Sequence, residues 1–207
     1  MKKAVAAVVV GLLLPMSSVI AATKDVDVVD RRFVQDNISV AVGDIVHWTT
    51  AGTQEGHNVR EDGKRSNGTN GGTPIFNSGR ETDFIDFKMT FSAGTFHYYC
   101  RIHGTPNGGM DGTIKVPVKL AAKPSGPNFT VMWATSATQT GSKFDVQFRI
   151  GSASWHDWHK GTAALKGVFG AAGTPADAAL GTKYSFRARS HKGDAVSKWS
   201  PVGNFTP

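Results

Sequence analysis

The sequence predicts an all-β protein made of two β-sandwich domains. Three observations support this fold class. Glycine is abundant, with 24 of 207 residues. Short runs in which Val, Thr, Phe or Trp alternate with polar residues are separated by turn residues at intervals of roughly 8 to 12 positions. No window shows the sustained period of an amphipathic helix, so we expect little helix.

The first 22 residues have the pattern of a secretory signal peptide. Two lysines precede an apolar stretch over residues 4–14, and small residues follow, so we expect cleavage after Ala21 or Ala22. The stretch is shorter than the roughly 20 apolar residues that a membrane-spanning helix needs, and no later segment approaches that length. The sequence therefore predicts an exported protein, periplasmic or extracellular, with no transmembrane segment and no nucleic-acid partner.

Residues 23–118 are predicted to form the first sandwich. The alternating runs fall at residues 26–29, 32–35, 38–42, 45–50, 57–59, 84–91, 95–100 and 112–116. About eight short strands of this kind are typical of a β-sandwich. The polar, glycine-rich stretch over residues 60–79 has too little apolar surface to pack by itself, and we interpret it as a mobile surface loop.

A second, smaller sandwich is predicted over residues 128–207, after a linker at residues 119–127 that contains two prolines and a glycine. Its expected strands are 129–133, 144–150, 164–169 and 184–190. We interpret His156 and His159 as histidines of an exposed loop. The basic charge lies in this half: Lys plus Arg minus Asp plus Glu gives 11 − 12 = −1 for residues 23–120 and 10 − 4 = +6 for residues 121–207. This favours an acidic envelope component or an acidic partner protein.

The chemistry-bearing residues cluster around the single cysteine. A lone cysteine is most often a buried apolar residue, but Cys100, His103 and Met110 stand within eleven positions, and His57 follows an earlier predicted strand. Thiolate, imidazole and a weak thioether form the ligand set of copper sites that transfer electrons. Such a set leaves no position for a substrate, so we do not expect an enzyme.

The motifs of residues 25–117 resemble the plastocyanin and azurin family of cupredoxins. The resemblance is carried by Gly43-Asp44-x-Val46-x-Trp48, His57-Asn58, Gly94-Thr-Phe, Tyr99-Cys100-x-x-His103 and Met110-x-Gly112-x-Ile114-x-Val116. It implies a Greek-key sandwich with one type 1 copper ion per chain. The implied ligands are His57, Cys100 and His103 in the equatorial plane and a distant axial Met110.

The resemblance also implies the roles of neighbouring residues. Gly56 would offer a carbonyl oxygen on the second axial side, and Asn58 would tie the two ligand loops together. His103 would expose a ring edge as the electron port, with Tyr99 on a lateral route. The implied function is transfer of single electrons between redox partner proteins. Two alternatives stay open: storage or delivery of copper, and an adhesion role in which the fold is only structural.

Residues 126–207 resemble a fibronectin type III domain. The resemblance is carried by Phe129-Thr-Val-Met-Trp133, Asp145-Val-Gln-Phe-Arg149, Gly181-Thr-Lys-Tyr184-x-Phe186-x-Ala188 and Ser197-Lys-Trp199-Ser200, with Tyr184 as the corner tyrosine. Modules of this kind usually bind or space other domains. The second half is therefore expected to be a docking or spacer domain.

Overall fold

The computed structural model describes residues 21–50, 52–65, 67–106 and 108–207. Within these ranges all regular secondary-structure elements are β-strands, so the all-β prediction is confirmed. None of these ranges contains a helix long and apolar enough to cross a membrane. The predicted signal peptide falls, up to residue 20, outside the described residues.

The first half of the chain forms two four-stranded sheets. Their strands are β1 (Thr23–Val29), β2 (Arg32–Val34), β3 (Asn37–Ser39), β4 (Ile45–Thr49), β5 (Arg60–Glu61), β6 (Asp86–Thr90), β7 (Gly94–Thr105) and β8 (Gly108–Val116). One sheet has the order β2-β1-β4-β6 and the other β3-β8-β7-β5. Strand β1 runs parallel to β4 and β3 parallel to β8, while the other pairs are antiparallel.

Strand β4 shows why these sequences form half-buried strands. Side chains alternate between the two faces of a strand, and here Val46 and Trp48 are fully buried. His47, between them, faces outward and contacts Asp25 and Asp86 at 3.0 and 2.7 Å. The Trp48 ring packs against Tyr98 in an edge-on contact with centroids 5.4 Å apart. The contact with Tyr98 determines which face of β7 is buried, and Cys100 lies on that same face.

The second half also forms two sheets. Its strands are β9 (Lys119–Ala122), β10 (Phe129–Met132), β11 (Lys143–Ile150), β12 (His156–Thr162), β13 (Lys166–Phe169), β14 (Tyr184–Lys192), β15 (Ala195–Val196) and β16 (Gly203–Phe205). One sheet has the strand order β13-β10-β9. The other has the order β12-β11-β14-β15, and β16 also pairs with β14.

Two sequence interpretations of this half are corrected. His156 and His159 lie on strand β12 and not in a loop, and the His159 ring contacts both Trp133 and Trp158. The predicted linker begins with strand β9, which pairs with β10. The reason in both cases is tertiary contact: the partly buried side chains of Leu120 and Trp158 pack against the core, and each strand pairs with a neighbour.

The two halves are joined by direct hydrogen bonds. The Ala93 amide donates to the Trp133 carbonyl at 2.7 Å, and the hydroxyls of Ser92 and Ser190 lie 2.6 Å apart in a buried position. Thr95 and Lys198 exchange two backbone hydrogen bonds of 3.0 Å. Each such hydrogen bond stabilises the contact by a net of roughly 0.5 to 1.5 kcal/mol, because separation would exchange it for hydrogen bonds to water.

The segment between β5 and β6 is held in place, in contrast to the mobile loop that its composition suggested. Arg65 forms an ion pair with Asp194 at 2.9 Å, and the Val196 amide donates to the Lys64 carbonyl at 2.7 Å. At its base the buried Glu61 carboxyl accepts hydrogen bonds from the Gly63 amide at 3.0 Å and from a second amide at 2.8 Å. Burial, with Asp62 beside it, raises the pKa of Glu61 to about 8.

Replacing Glu61 with glutamine is expected to flatten the pH dependence of stability. The folded chain keeps a proton on Glu61 that the unfolded chain releases above its ordinary value of 4.5. The free energy of unfolding is therefore highest below pH 4.5. Between pH 4.5 and about pH 8 it decreases as the pH rises, by at most about 1.4 kcal/mol per pH unit. Urea unfolding should show Glu61→Gln equal to the natural chain at pH 5 and more stable at pH 8. Parallel pH profiles would contradict this assignment.

Candidate metal centre

Cys100 and His103 both lie on β7, which carries an irregularity at this point. Phe96, Tyr98 and Cys100 face the core in strict alternation and are buried. Beyond them the register with β8 shifts: Tyr99 pairs with Asp111, whereas Gly104 pairs with Gly109. Residues 100–103 thus stand opposite residue 110 alone. In a regular strand, residues three apart face opposite sides, so this bulge is what allows His103 to turn back toward Cys100.

His57 reaches the same place from the segment between β4 and β5. It exchanges two backbone hydrogen bonds of 2.8 Å with Thr82, which fix its position after the turn that follows β4. Its side chain is fully buried, as is that of Cys100. The three predicted equatorial residues are therefore brought together at one end of the first half.

Three donor atoms converge at this point. The Nδ1 atoms of His57 and His103 lie 3.1 Å apart, and they lie 3.8 and 3.6 Å from Sγ of Cys100. Together these residues form a group whose ligand atoms are all within 4.8 Å of one another. The arrangement defines a buried site with one sulfur and two nitrogen donors.

The spacing of these atoms fits a metal ion. With the bond lengths usual for first-row ions, a trigonal centre separates nitrogen from sulfur by about 3.7 Å and nitrogen from nitrogen by about 3.6 Å. The two nitrogen–sulfur distances of 3.6 and 3.8 Å match, and the shorter nitrogen–nitrogen distance of 3.1 Å corresponds to a narrower angle between the imidazoles. The donor set of thiolate and imidazole suits copper or zinc.

Carboxylates contact the outer nitrogens of both imidazoles. Nε2 of His103 lies 2.9 Å from a Glu55 oxygen, and Nε2 of His57 lies 3.5 Å from an Asp30 oxygen. Arg31 holds Glu55 through contacts of 2.8 and 3.2 Å and keeps the pKa of that carboxyl below its ordinary value. A carboxylate on the outer nitrogen fixes the orientation of a ligand imidazole and makes it a stronger donor.

The expectation of an open His103 edge is corrected by this contact. The His103 side chain is 13% exposed, and the nitrogen that would face a partner is covered by Glu55. Glu55 and Asp30 were not identified from the sequence. The available signal was that Glu55 stands two positions before His57, on a segment already expected to enter the site.

Asn58 bridges the two segments that carry the donors. Its Oδ1 accepts a hydrogen bond of 2.8 Å from the Arg101 amide, next to Cys100, and its Nδ2 donates to the Gly79 carbonyl at 3.2 Å. The side chain is buried. The first hydrogen bond therefore holds the His57 segment against β7, and the second holds it against the backbone at Gly79.

The remaining predicted residues lie on or opposite the segments that carry the donors. Met110 is buried on β8, directly opposite the irregular part of β7, and a Cβ on Gly104 would come within 2.5 Å of the Met110 carbonyl oxygen. Gly56 lies against the backbone of Glu81 and Thr82. Tyr99 is buried, and its hydroxyl accepts a 2.7 Å hydrogen bond from Arg60. The axial roles of Met110 and Gly56, and the route through Tyr99, stay predictions.

The fold and the site together define a class: an all-β protein with a buried cysteine sulfur and two imidazoles in metal-binding geometry. No family model and no curated protein matches the sequence. Among solved structures, an oxidized single-residue mutant of amicyanin is 23% identical, with 44% of this chain and 79% of that chain covered and a TM-score of 0.34. A Cu(I) form of another amicyanin mutant is 22% identical, covering 46% and 82%, at 0.33. Similarity at this level does not assign the chain to a family.

Proposed function

We propose that this chain is an exported electron-transfer protein in which His57, Cys100 and His103 hold one type 1 copper ion. The observation that carries the proposal is the convergence of two imidazole Nδ1 atoms and a cysteine sulfur at 3.1 to 3.8 Å in a buried position. A thiolate with two imidazoles is the equatorial set of copper sites that transfer electrons. Met110 is the proposed axial ligand, with the Gly56 carbonyl opposite it.

The surrounding residues suit this role. Copper bound here supplies a one-electron couple between Cu(I) and Cu(II). Backbone bonds to Thr82 and the Asn58 bridge hold the donors in fixed positions, so little rearrangement accompanies a change of charge. Burial of Cys100 and His57 closes the site to substrates, which favours a carrier over an enzyme. The same burial disfavours storage or delivery, which require exchange of the ion.

The proposed partners are redox proteins that give and accept single electrons, either at His103 through its contact with the partly exposed Glu55 or laterally through Tyr99. The second half serves as a docking or spacer domain with a fibronectin type III-like fold. In support, the Tyr184 hydroxyl accepts a hydrogen bond from the Ala179 amide at 2.9 Å and donates to the Asp177 carbonyl at 3.2 Å, as a corner tyrosine does. Its basic charge suits an acidic partner or envelope component.

Titration of the mature chain with Cu(II) tests the proposal. We expect an intense visible band that saturates at one copper per chain, is bleached by a reductant and returns on oxidation. Electron paramagnetic resonance should show the small copper hyperfine splitting of a thiolate-bound ion. A weak band typical of nitrogen-bound Cu(II), or a metal that a mild chelator removes within minutes, would overturn electron transfer in favour of copper storage or delivery.

A further inference from the structure

A row of alternating indole and guanidinium groups lies on one face of the second half. The Arg187 guanidinium stands over the rings of Trp155 and Trp199, at 4.3 and 4.7 Å from their centroids. Arg149 stands over Trp155 at 4.7 Å, and Arg189 over Trp199 at 4.6 Å. We call these five residues the arginine ladder. Its arginines come from the adjacent strands β11 and β14.

The positive charge of the arginine ladder is only partly balanced. Arg189 has a carboxylate partner, Asp145, at 2.8 Å. Arg187 donates from Nε and Nη2 to the neutral Gln147 oxygen at 2.9 and 2.7 Å. In the ranges that the structure describes, the Arg149 side chain has neither an ion pair nor a hydrogen bond, and its Nε is enclosed without a partner. Of the three cations, only Arg189 has a carboxylate in direct contact, and that carboxylate also contacts His191 at 2.8 Å.

The consequence of this crowding is visible at the central arginine. Burial lowers the pKa of Arg187, and the neighbouring charges of Arg149 and Arg189 lower it further. All three arginines of residues 121–207 belong to this row, whereas none of the seven lysines in that described part of the chain stacks on its indoles. A surface that served only solubility could carry lysine in place of arginine.

Stacking by itself does not explain the ladder. Cation–π contacts involve the flat faces of the guanidinium groups and leave their in-plane N–H groups free for other partners. Those N–H groups form a planar fork that matches carboxylate oxygens, which a lysine does not provide. Arg187 uses Nε and Nη2 on Gln147, and Arg149 Nε is enclosed, so the donors without an acceptor in the described chain are both Nη groups of Arg149 and Nη1 of Arg187.

We propose that the arginine ladder binds a linear polysaccharide that carries carboxylate groups. The cations follow one another in a row, so a chain with an anion on each repeating unit can engage several at once. A protein partner fits less well, because protein interfaces have an apolar centre and here both indoles are already covered by guanidinium groups. This binding uses no residue of the metal centre and does not depend on it.

Calorimetric titration of the metal-free full chain with oligogalacturonate of defined length tests the proposal. We expect binding that weakens as salt is added, and a roughly tenfold loss of affinity for each arginine removed, first in Arg149→Gln and then in Arg149→Gln with Arg187→Gln. The matched control is Lys119→Gln with Lys166→Gln, which removes two charges from exposed residues of the other sheet. The control should bind like the natural chain.

Three results would overturn the proposal. One is the absence of binding at low salt. Another is an equal loss of affinity in the arginine and lysine variants, which would mean nonspecific attraction. The third is binding of polyglutamate without binding of oligogalacturonate, which would mean that the face recognises an acidic protein. Thermal unfolding identifies any variant that fails to fold, and Arg149→Gln remains informative because it removes no hydrogen bond within the described chain.

Discussion

Replacing Cys100 with serine is expected to abolish the intense visible absorption of the copper-loaded chain. The thiolate is the only soft donor among the three residues, and a serine hydroxyl does not ionise under the same conditions. The two imidazoles remain, so Cu(II) still binds as an ordinary nitrogen-ligated ion with weak absorption and a wide hyperfine splitting. Absorption and electron paramagnetic resonance spectra recorded at equal copper loading measure the change.

A histidine on the same strand provides the matched control. His97 lies three positions before Cys100 and contacts Asp111 at 2.8 Å, away from the converging donor atoms. The variant His97→Gln should therefore keep the intense band. The copper assignment fails if Cys100→Ser retains that band, or if His97→Gln loses it while its circular dichroism stays that of the natural chain.

The sequence predicted that His57, Cys100 and His103 come together, as they do, but it did not predict the backbone that unites them. Motif spacing indicated ligands at positions 100 and 103, although a regular strand would point them to opposite faces. The shift of register between β7 and β8 is what turns both side chains toward the same point. This shift depends on the close approach of Gly104 to the Met110 backbone. Such an approach is set by pairing with a distant strand, and no local pattern encodes it.

The strands missed in the second half have a related cause. Strand β12 reads HDWHKGT, without clear alternation, and it is held by pairing with β11 and by the contact of Trp158 with the core. Strand β9 has a composition typical of linkers and is held by pairing with β10. In both, tertiary contacts override weak local preference, and a single sequence does not show those contacts.

Glu55 is the residue of the site that was hardest to predict from the sequence. Its partners are Arg31, 24 positions earlier, and His103, 48 positions later, and only the fold brings them together. A carboxylate in this position changes the expectation for the electron port. The outer nitrogen of His103 contacts a fixed negative charge instead of open solvent.

Replacing Glu55 with glutamine is therefore expected to raise the reduction potential of the copper-loaded protein. The carboxylate lies 2.9 Å from His103 Nε2 and stabilises the more positive oxidised state more than the reduced one. Groups that contact the outer nitrogen of a ligand imidazole change metal affinity by about 10- to 100-fold. A tenfold difference between the two oxidation states corresponds to about 59 mV for one electron, so we expect a rise of that order in cyclic voltammetry.

Glu81 supplies the matched control for this experiment. Its carboxylate is also close to the site but pairs with Arg101 at 2.9 Å instead of a ligand imidazole. If Glu55 acts through its contact with His103, then Glu55→Gln shifts the potential much more than Glu81→Gln, although both remove one negative charge. Equal shifts would show that only net charge matters. Nitrogen-15 NMR of the metal-free chain gives an independent reading, because the Nε2 signal of His103 should move in Glu55→Gln alone.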